Sequence, residues 1–167
     1  TEALKADWLA PRPSTDAALM IGLAHVLLSE NLADRVFLDN YTVGFDQFAA
    51  YLTGESDGVA KTADWAANIC ALPADTIRTL ARRMAKGRTM ISVAWALTRQ
   101  DHGEQPFWLG TVLAAMLGQI GLPGGGIGFG YGATNTVGLE RAFPRFQALP
   151  QGRNKVKTFI PVARITD

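Results

Sequence analysis

Few side chains in this 167-residue chain are of types that do chemistry unaided. There is one cysteine, Cys70, and there are two histidines, His25 and His102. A lone thiol closes no internal disulfide and builds neither a structural zinc site nor an iron–sulfur site. Two separated imidazoles do not make a multi-histidine metal centre. No Ser/His/Asp or Cys/His set can be assembled, and the carboxylates show no pairing of the kind acid–base catalysis uses. His102, between Asp101 and Gly103, reads as a turn or capping histidine. What remains is the chemistry of holding a ligand.

Three places have residue types suited to that. Asp16 stands just before an apolar helix. It reads either as a cap or first-turn carboxylate favoured by the helix dipole, or as an acceptor-only carboxylate that can receive the N–H donors of a guanine base. Trp95 and Arg99 stand at the end of a strand candidate and in the turn beyond it, where open α/β sheets bind ligands. Arg99 can grip phosphate or pterin oxygens with forked hydrogen bonds and the Trp95 indole can add a donor, or the pair is a core Trp and a surface Arg. The third place is a glycine run: nine of the 17 glycines lie between Gly118 and Gly138, including Gly124, Gly125 and Gly126. Glycine lets backbone come close to a bulky ligand, although an irregular loop packed against protein is equally compatible. Ile127, Phe129 and Tyr131 interleave with the glycines and need burial, which argues against a flexible linker. Gly128 to Ala133 formally matches the dinucleotide fingerprint G-x-G-x-x-G/A, but that motif follows a strand and opens a helix, and here a helix precedes and no helical periodicity follows.

The elements that must position these residues follow from pattern. Pro11 to Asp16 gives an extended approach and an N-cap cluster for a helix to about Ser29, apolar all round and therefore buried. Short helices are expected over Ala33–Asn40 and from Phe45 to a stop at Gly54, followed by a polar surface loop from Glu55 to Lys61. Thr62 caps a further helix, and Pro73 opens another that ends in basic residues before Gly87. Thr89–Trp95 is the best strand, read as a buried parallel one, and a largely apolar helix runs from about Gln105 to Gln119. The chain is expected to be irregular from Gly121 through Arg145, with a short extended segment over Thr158–Ala163.

Composition sets the class. Sixteen basic and 15 acidic side chains leave a net charge of +1, with no electrostatic footprint for nucleic acid or an anionic membrane surface. The basic knot of Arg82, Arg83, Lys86 and Arg88 reads as a helix C-terminal turn. A hydrophobic share of 48% argues against disorder, and no run reaches the roughly 18 apolar residues of a membrane span. A lone cysteine suits a reducing compartment slightly better, and no signal-peptide pattern opens the chain. The charged share of 19% is below the average of about 25%, as expected if part of the surface is covered by protein outside this chain. One central strand is too few for a complete α/β domain, and the chain opens at Thr1 without a Met, so a piece of a larger protein is expected.

Several ordered blocks resemble molybdopterin oxidoreductases: Pro13-Ser14-Thr15-Asp16-Ala17-Ala18-Leu19, Trp65-Ala66 with Ile69 and Leu72-Pro73, and Asp101-His102-Gly103-Glu104-Gln105-Pro106. The most specific is Ala115-Met116-Leu117-Gly118-Gln119-Ile120-Gly121-Leu122-Pro123-Gly124-Gly125-Gly126. Within that superfamily the chain is similar to the S-oxide and N-oxide reductases of the dimethyl sulfoxide reductase family, on the biotin sulfoxide and trimethylamine N-oxide reductase side. The resemblance implies a helix-rich α/β fragment with a partial parallel sheet. Residues 1–120 would be part of a guanine-dinucleotide-binding region, and 121–167 a glycine-rich cofactor-proximal loop and extended tail, with no independent second domain. It implies molybdenum held by two molybdopterin guanine dinucleotides, and a small S-oxide or N-oxide as substrate. Ser14 and Asp16 would serve the guanine, Trp95 and Arg99 the pterin and funnel, and Gly124, Gly125, Gly126 and Asn135 a cofactor-proximal loop. The metal-ligating serine of that branch is expected upstream of Thr1, so this fragment alone should hold no metal and be inactive. The remainder of the parent polypeptide is the implied partner, with the electron donor unspecified. The compartment would be cytoplasm for the biotin sulfoxide branch and periplasm for the others. The alternative from another class is a non-catalytic nucleotide-binding or helical interaction module.

Overall fold

A helix without a polar face has to be surrounded, and α1 (Asp16–Ser29) is. In the computed structural model, which describes residues 5–129 with Gln147, Pro150, Gly152 and Arg153, α1 packs against four other helices. These are α3 (Phe45–Thr53), α4 (Ala63–Cys70), α5 (Ala74–Lys86) and α6 (Glu104–Met116). A short α2 (Arg35–Tyr41) lies against α6. Leu23, Ala24, Val26 and Leu27 of α1 form the middle of one core with Leu52, Ala66, Cys70, Ile77, Leu113 and Met116.

Side-chain caps set two helix starts. Asp34 accepts from the Phe37 amide at 2.9 Å, and Thr62 from the Trp65 amide at 3.1 Å. Pro73 stands at the N-cap position of α5, where its missing N–H costs nothing.

The sheet consists of two parallel strands, β1 (Met90–Val93) and β2 (Gly126–Phe129), paired Met90 to Gly126 through Val93 to Phe129. Parallel neighbours need a crossover, and α6 supplies it. The helix can lie close because Gly110 has no side chain: a Cβ there would come within 2.9 Å of Ile127 Cδ1. Ile91 and Val93 face that helix, whereas Met90 and Ser92 are exposed. The expectation of a fully covered strand is therefore met on one face only within this chain.

Two further differences concern loops. β2 falls inside the stretch expected to be irregular; residues 121–125 before it are irregular as expected, and residues 130–145, like Thr158–Ala163, lie outside the described residues. The polar loop after Gly54 is exposed as expected up to Ala60, but Lys61 is buried. Its ammonium donates to both carboxylate oxygens of Asp57 (2.6 and 2.9 Å) and to the Val59 carbonyl, and lies 4.3 Å from the Tyr51 ring centroid. Residues Thr1–Val137 and Gly138–Asp167 form separate compact units. β2, which follows residue 121, pairs back onto β1.

Candidate functional site

The orientation of the helices decides which sequence-selected residues share a side of the molecule. Since α6 crosses between parallel strands, it runs against them, and its N-terminus opens beside their C-terminal ends. The short connection from α1 to α2 is tied to the C-terminal end of α6 by the Asp34 amide donating to the Met116 carbonyl at 2.7 Å, which brings the C-terminal ends of α1 and α6 to the same side. The C-terminal end of α1 is tied to the last turns of α5 by Glu30, which pairs with Arg82 through two hydrogen bonds of 2.7 and 2.8 Å. At the other end, the Arg12 amide donates to the Cys70 carbonyl at 2.8 Å, just before α5 begins. Thus α1, α5 and α6 point the same way, and Asp16 opens toward the side where β1 ends.

That side also has Trp95 and Arg99. Trp95–Thr98 form a 3-10 turn directly after β1, closed by the Thr98 hydroxyl donating to the Trp95 carbonyl at 2.7 Å. Both Trp95 and Arg99 are exposed, and Arg99 makes no ion pair with a described residue. In the next turn His102 lies 3.8 Å from both Asp101 and Glu104, exposed and with φ of +53°. Glu104 is held below the ordinary carboxylate range, first by its own backbone N–H, then by the Gln105 side chain and by His102.

Of the two helix-end positions open to it, Asp16 takes the first turn of α1 rather than the cap. Thr15 occupies the N-cap position, with its hydroxyl donating to the Arg12 carbonyl at 2.6 Å, and Asp16 is the first helical residue. Its half-buried carboxylate has no hydrogen bond or ion pair to a described residue, so its acceptor oxygens are available. Ser14 beside it is exposed, with φ of +63°.

Gly124, Gly125 and Gly126 sit elsewhere. Gly126 pairs with Met90, so the triplet lies at the N-terminal ends of the strands, away from Trp95 and Arg99. There Gln119 bridges the start of β1: its side-chain carbonyl accepts from the Thr89 amide at 2.8 Å and its NH2 donates to the Gly87 carbonyl at 2.9 Å. Gly125 lets this bridge form, since a Cβ there would be 2.9 Å from both the Gln119 carbonyl oxygen and its Cβ. Reading the block for its glycines alone missed Gln119. The available signal was a polar residue ending an otherwise apolar helix. Asn135 lies outside the described residues.

The Molybdopterin oxidoreductase family profile matches residues 2–162. The chain belongs to that family. It is 51% identical to a dimethyl sulfoxide/trimethylamine N-oxide reductase of Cereibacter sphaeroides, over 97% of this chain and 21% of that protein. It is 47% identical to a biotin sulfoxide reductase of the same organism, over 97% and 22%. Against a trimethylamine-N-oxide reductase of Salmonella typhimurium the identity is 57%, over 81% and 16%. The chain thus spans about a fifth of the length of these relatives. Among solved structures, acetylene hydratase from Pelobacter acetylenicus superposes with a TM-score of 0.62 at 27% identity, covering 70% of this chain and 15% of that one. The helix-rich α/β fold with a partial parallel sheet is that of a molybdoenzyme segment.

Membership implies a molybdenum–pterin cofactor, and the donor set suits one. The Arg99 guanidinium, without an ion pair to a described residue, and the Asp16 carboxylate on the same side offer donors for pterin or phosphate oxygens and an acceptor for a base. Among the described residues no group of three or more His, Cys, Asp or Glu is placed to hold a metal ion.

Proposed function

We propose that this chain is part of the catalytic polypeptide of a molybdenum-dependent S-oxide or N-oxide reductase, and that it forms one wall of the cofactor site. The supporting observation is Arg99, without an ion pair to a described residue, in the turn after β1 and on the same side as the Asp16 carboxylate, which also has no hydrogen bond or ion pair to a described residue. The named activities of the relatives supply the reaction class.

In this reading the cofactor is a molybdopterin guanine dinucleotide, two per molybdenum. When bound it supplies two-electron redox capacity for removing an oxygen atom from the oxide, which leaves as water once electrons and protons arrive from a donor outside this chain. Arg99 grips pterin or phosphate oxygens through its planar fork, and the Trp95 indole orients the same edge. Asp16, with Ser14 nearby, accepts the guanine N–H donors and fixes the nucleotide end. The packed helices beneath hold these groups at one edge of the molecule.

The test is metal analysis of the full-length parent together with reduced-dye turnover of biotin sulfoxide, dimethyl sulfoxide and trimethylamine N-oxide. Molybdenum-dependent turnover of at least one oxide is expected. Activity without molybdenum, or a molybdenum-loaded enzyme inert toward all three, overturns the reading.

A further inference from the structure

Two apolar grooves lie side by side on the face made by α2, α3 and α6, sharing Thr42 and Ala115 in their walls. The first, about 440 Å³, runs between α3 and α6 past Phe45, Phe48 and Trp108. The second, about 590 Å³, continues past Phe37 and Tyr41 to Ile120 and Leu122. Among the described residues neither has a charged side chain in its lining. Large apolar side chains stand open to solvent along this face: Val43 is 100% exposed, Tyr41 75% and Trp108 65%. A continuous apolar face of this kind marks a contact surface.

We propose that this face is the seat of an apolar segment of the same polypeptide lying outside residues 1–167. The proposal rests on the reading that the chain is part of a larger enzyme. The occupant follows from three observations. The relatives are about five times as long as this chain, so roughly four-fifths of such a polypeptide lies outside it and is available to cover this face. Among the described residues the lining itself holds no Arg, Lys or His, and the adjacent guanidinium, Arg35, is occupied over the Phe45 ring at 5.0 Å and paired with Asp39, so the groove is built for apolar groups rather than phosphate. The polar groups that remain, Thr42, Gln47, Gln105 and Thr111, are uncharged hydrogen-bonders of the kind that accompany a peptide with apolar side chains.

The experiment uses the full-length parent. A Val43→Cys variant is treated with an uncharged maleimide under native and denaturing conditions, with the unsubstituted parent as background. Labelling at residue 43 is expected to be slower in the native protein by roughly a hundredfold or more, as for a site that reacts only on local opening. Hydroxyl-radical footprinting of Tyr41 and Trp108 in the unsubstituted parent is expected to show the same protection, which covers the case of a variant that does not fold. Native labelling at the free-thiol rate with unprotected Tyr41 and Trp108 overturns the proposal. Protection that disappears on dilution also overturns it and gives the face to a second subunit. Neither readout depends on turnover: an active parent with an open face sinks only this proposal, and an inactive parent with a covered face sinks only the functional reading.

Discussion

The Gln119 side-chain carbonyl accepts the Thr89 backbone N–H at 2.8 Å, across 30 residues of sequence, at the point where β1 begins. With the second bond to the Gly87 carbonyl, one side chain fastens the far end of the β1–α6–β2 crossover to its start. Gln119→Ala removes both bonds and leaves a partly buried amide without its partner, at a cost of about 1–2 kcal/mol. Gly125→Ala drives a methyl against Gln119 and costs about 1–3 kcal/mol. Both variants should lower the denaturation midpoint of the parent while leaving the guanine nucleotide released per molybdenum unchanged. Loss of nucleotide at unchanged stability would instead give the glycine triplet a direct role in binding.

Asp16 separates two roles that sequence left open. Thr15 holds the N-cap position, so the carboxylate contributes to α1 only through the helix dipole, about 0.3–1 kcal/mol. A carboxylate receiving guanine donors is worth more, about 1.5–3 kcal/mol. Asp16→Ala in the parent should therefore weaken nucleotide retention by roughly tenfold to a hundredfold, with little change in the melting temperature of the cofactor-free protein. Unchanged retention removes Asp16 from the site.

Stability of the parent should fall with acid in two stages contributed by this chain. Partial burial lowers the pKa of His25, so the unfolded state binds the proton first, and stability is lost as pH drops below about 6.5 toward the folded value. Glu30 is lowered mainly by its hydrogen bonds with Arg82, and Asp57 by those with Lys61. Their contribution is complete above the unfolded carboxylate range of about 4 and disappears as pH falls through the depressed folded values. Melting temperatures across this range should flatten near pH 6 in His25→Gln and lose part of the acid limb in Glu30→Gln. Unchanged profiles in both variants would assign the acid sensitivity to groups elsewhere.

The helices were legible because their signals are local. Asp16–Ser29 is bounded by its cap cluster and is apolar throughout, and Thr62 and Pro73 mark starts that the structure reproduces. β2 was not legible. Of its four residues two are glycine, which interrupts the strand propensity of Ile127 and Phe129, and pairing comes from the crossover geometry and the Gln119 bridge. At the candidate site, the strand-end position of Trp95 and Arg99 follows from the pattern. That Gly124–Gly126 sit at the opposite end required knowing that the same segment is a parallel strand.

Lys61 was hidden for a related reason, since a lysine in a polar loop carries no sign that Tyr51 and Trp65 will enclose it. Its burial makes the Asp57 pair asymmetric. The ammonium is almost wholly removed from water, whereas the Asp57 side chain is 43% exposed and can be hydrated alone. Removing the carboxylate strands a buried cation, and removing the cation strands nothing. Asp57→Ala should therefore lower the melting temperature of the parent more than Lys61→Met, which keeps the apolar stem against Tyr51. In the double variant most of the Asp57→Ala loss should be recovered, a coupling that a double-mutant cycle measures directly. Equal and additive losses would mean that the Lys61 ammonium reaches water without Asp57.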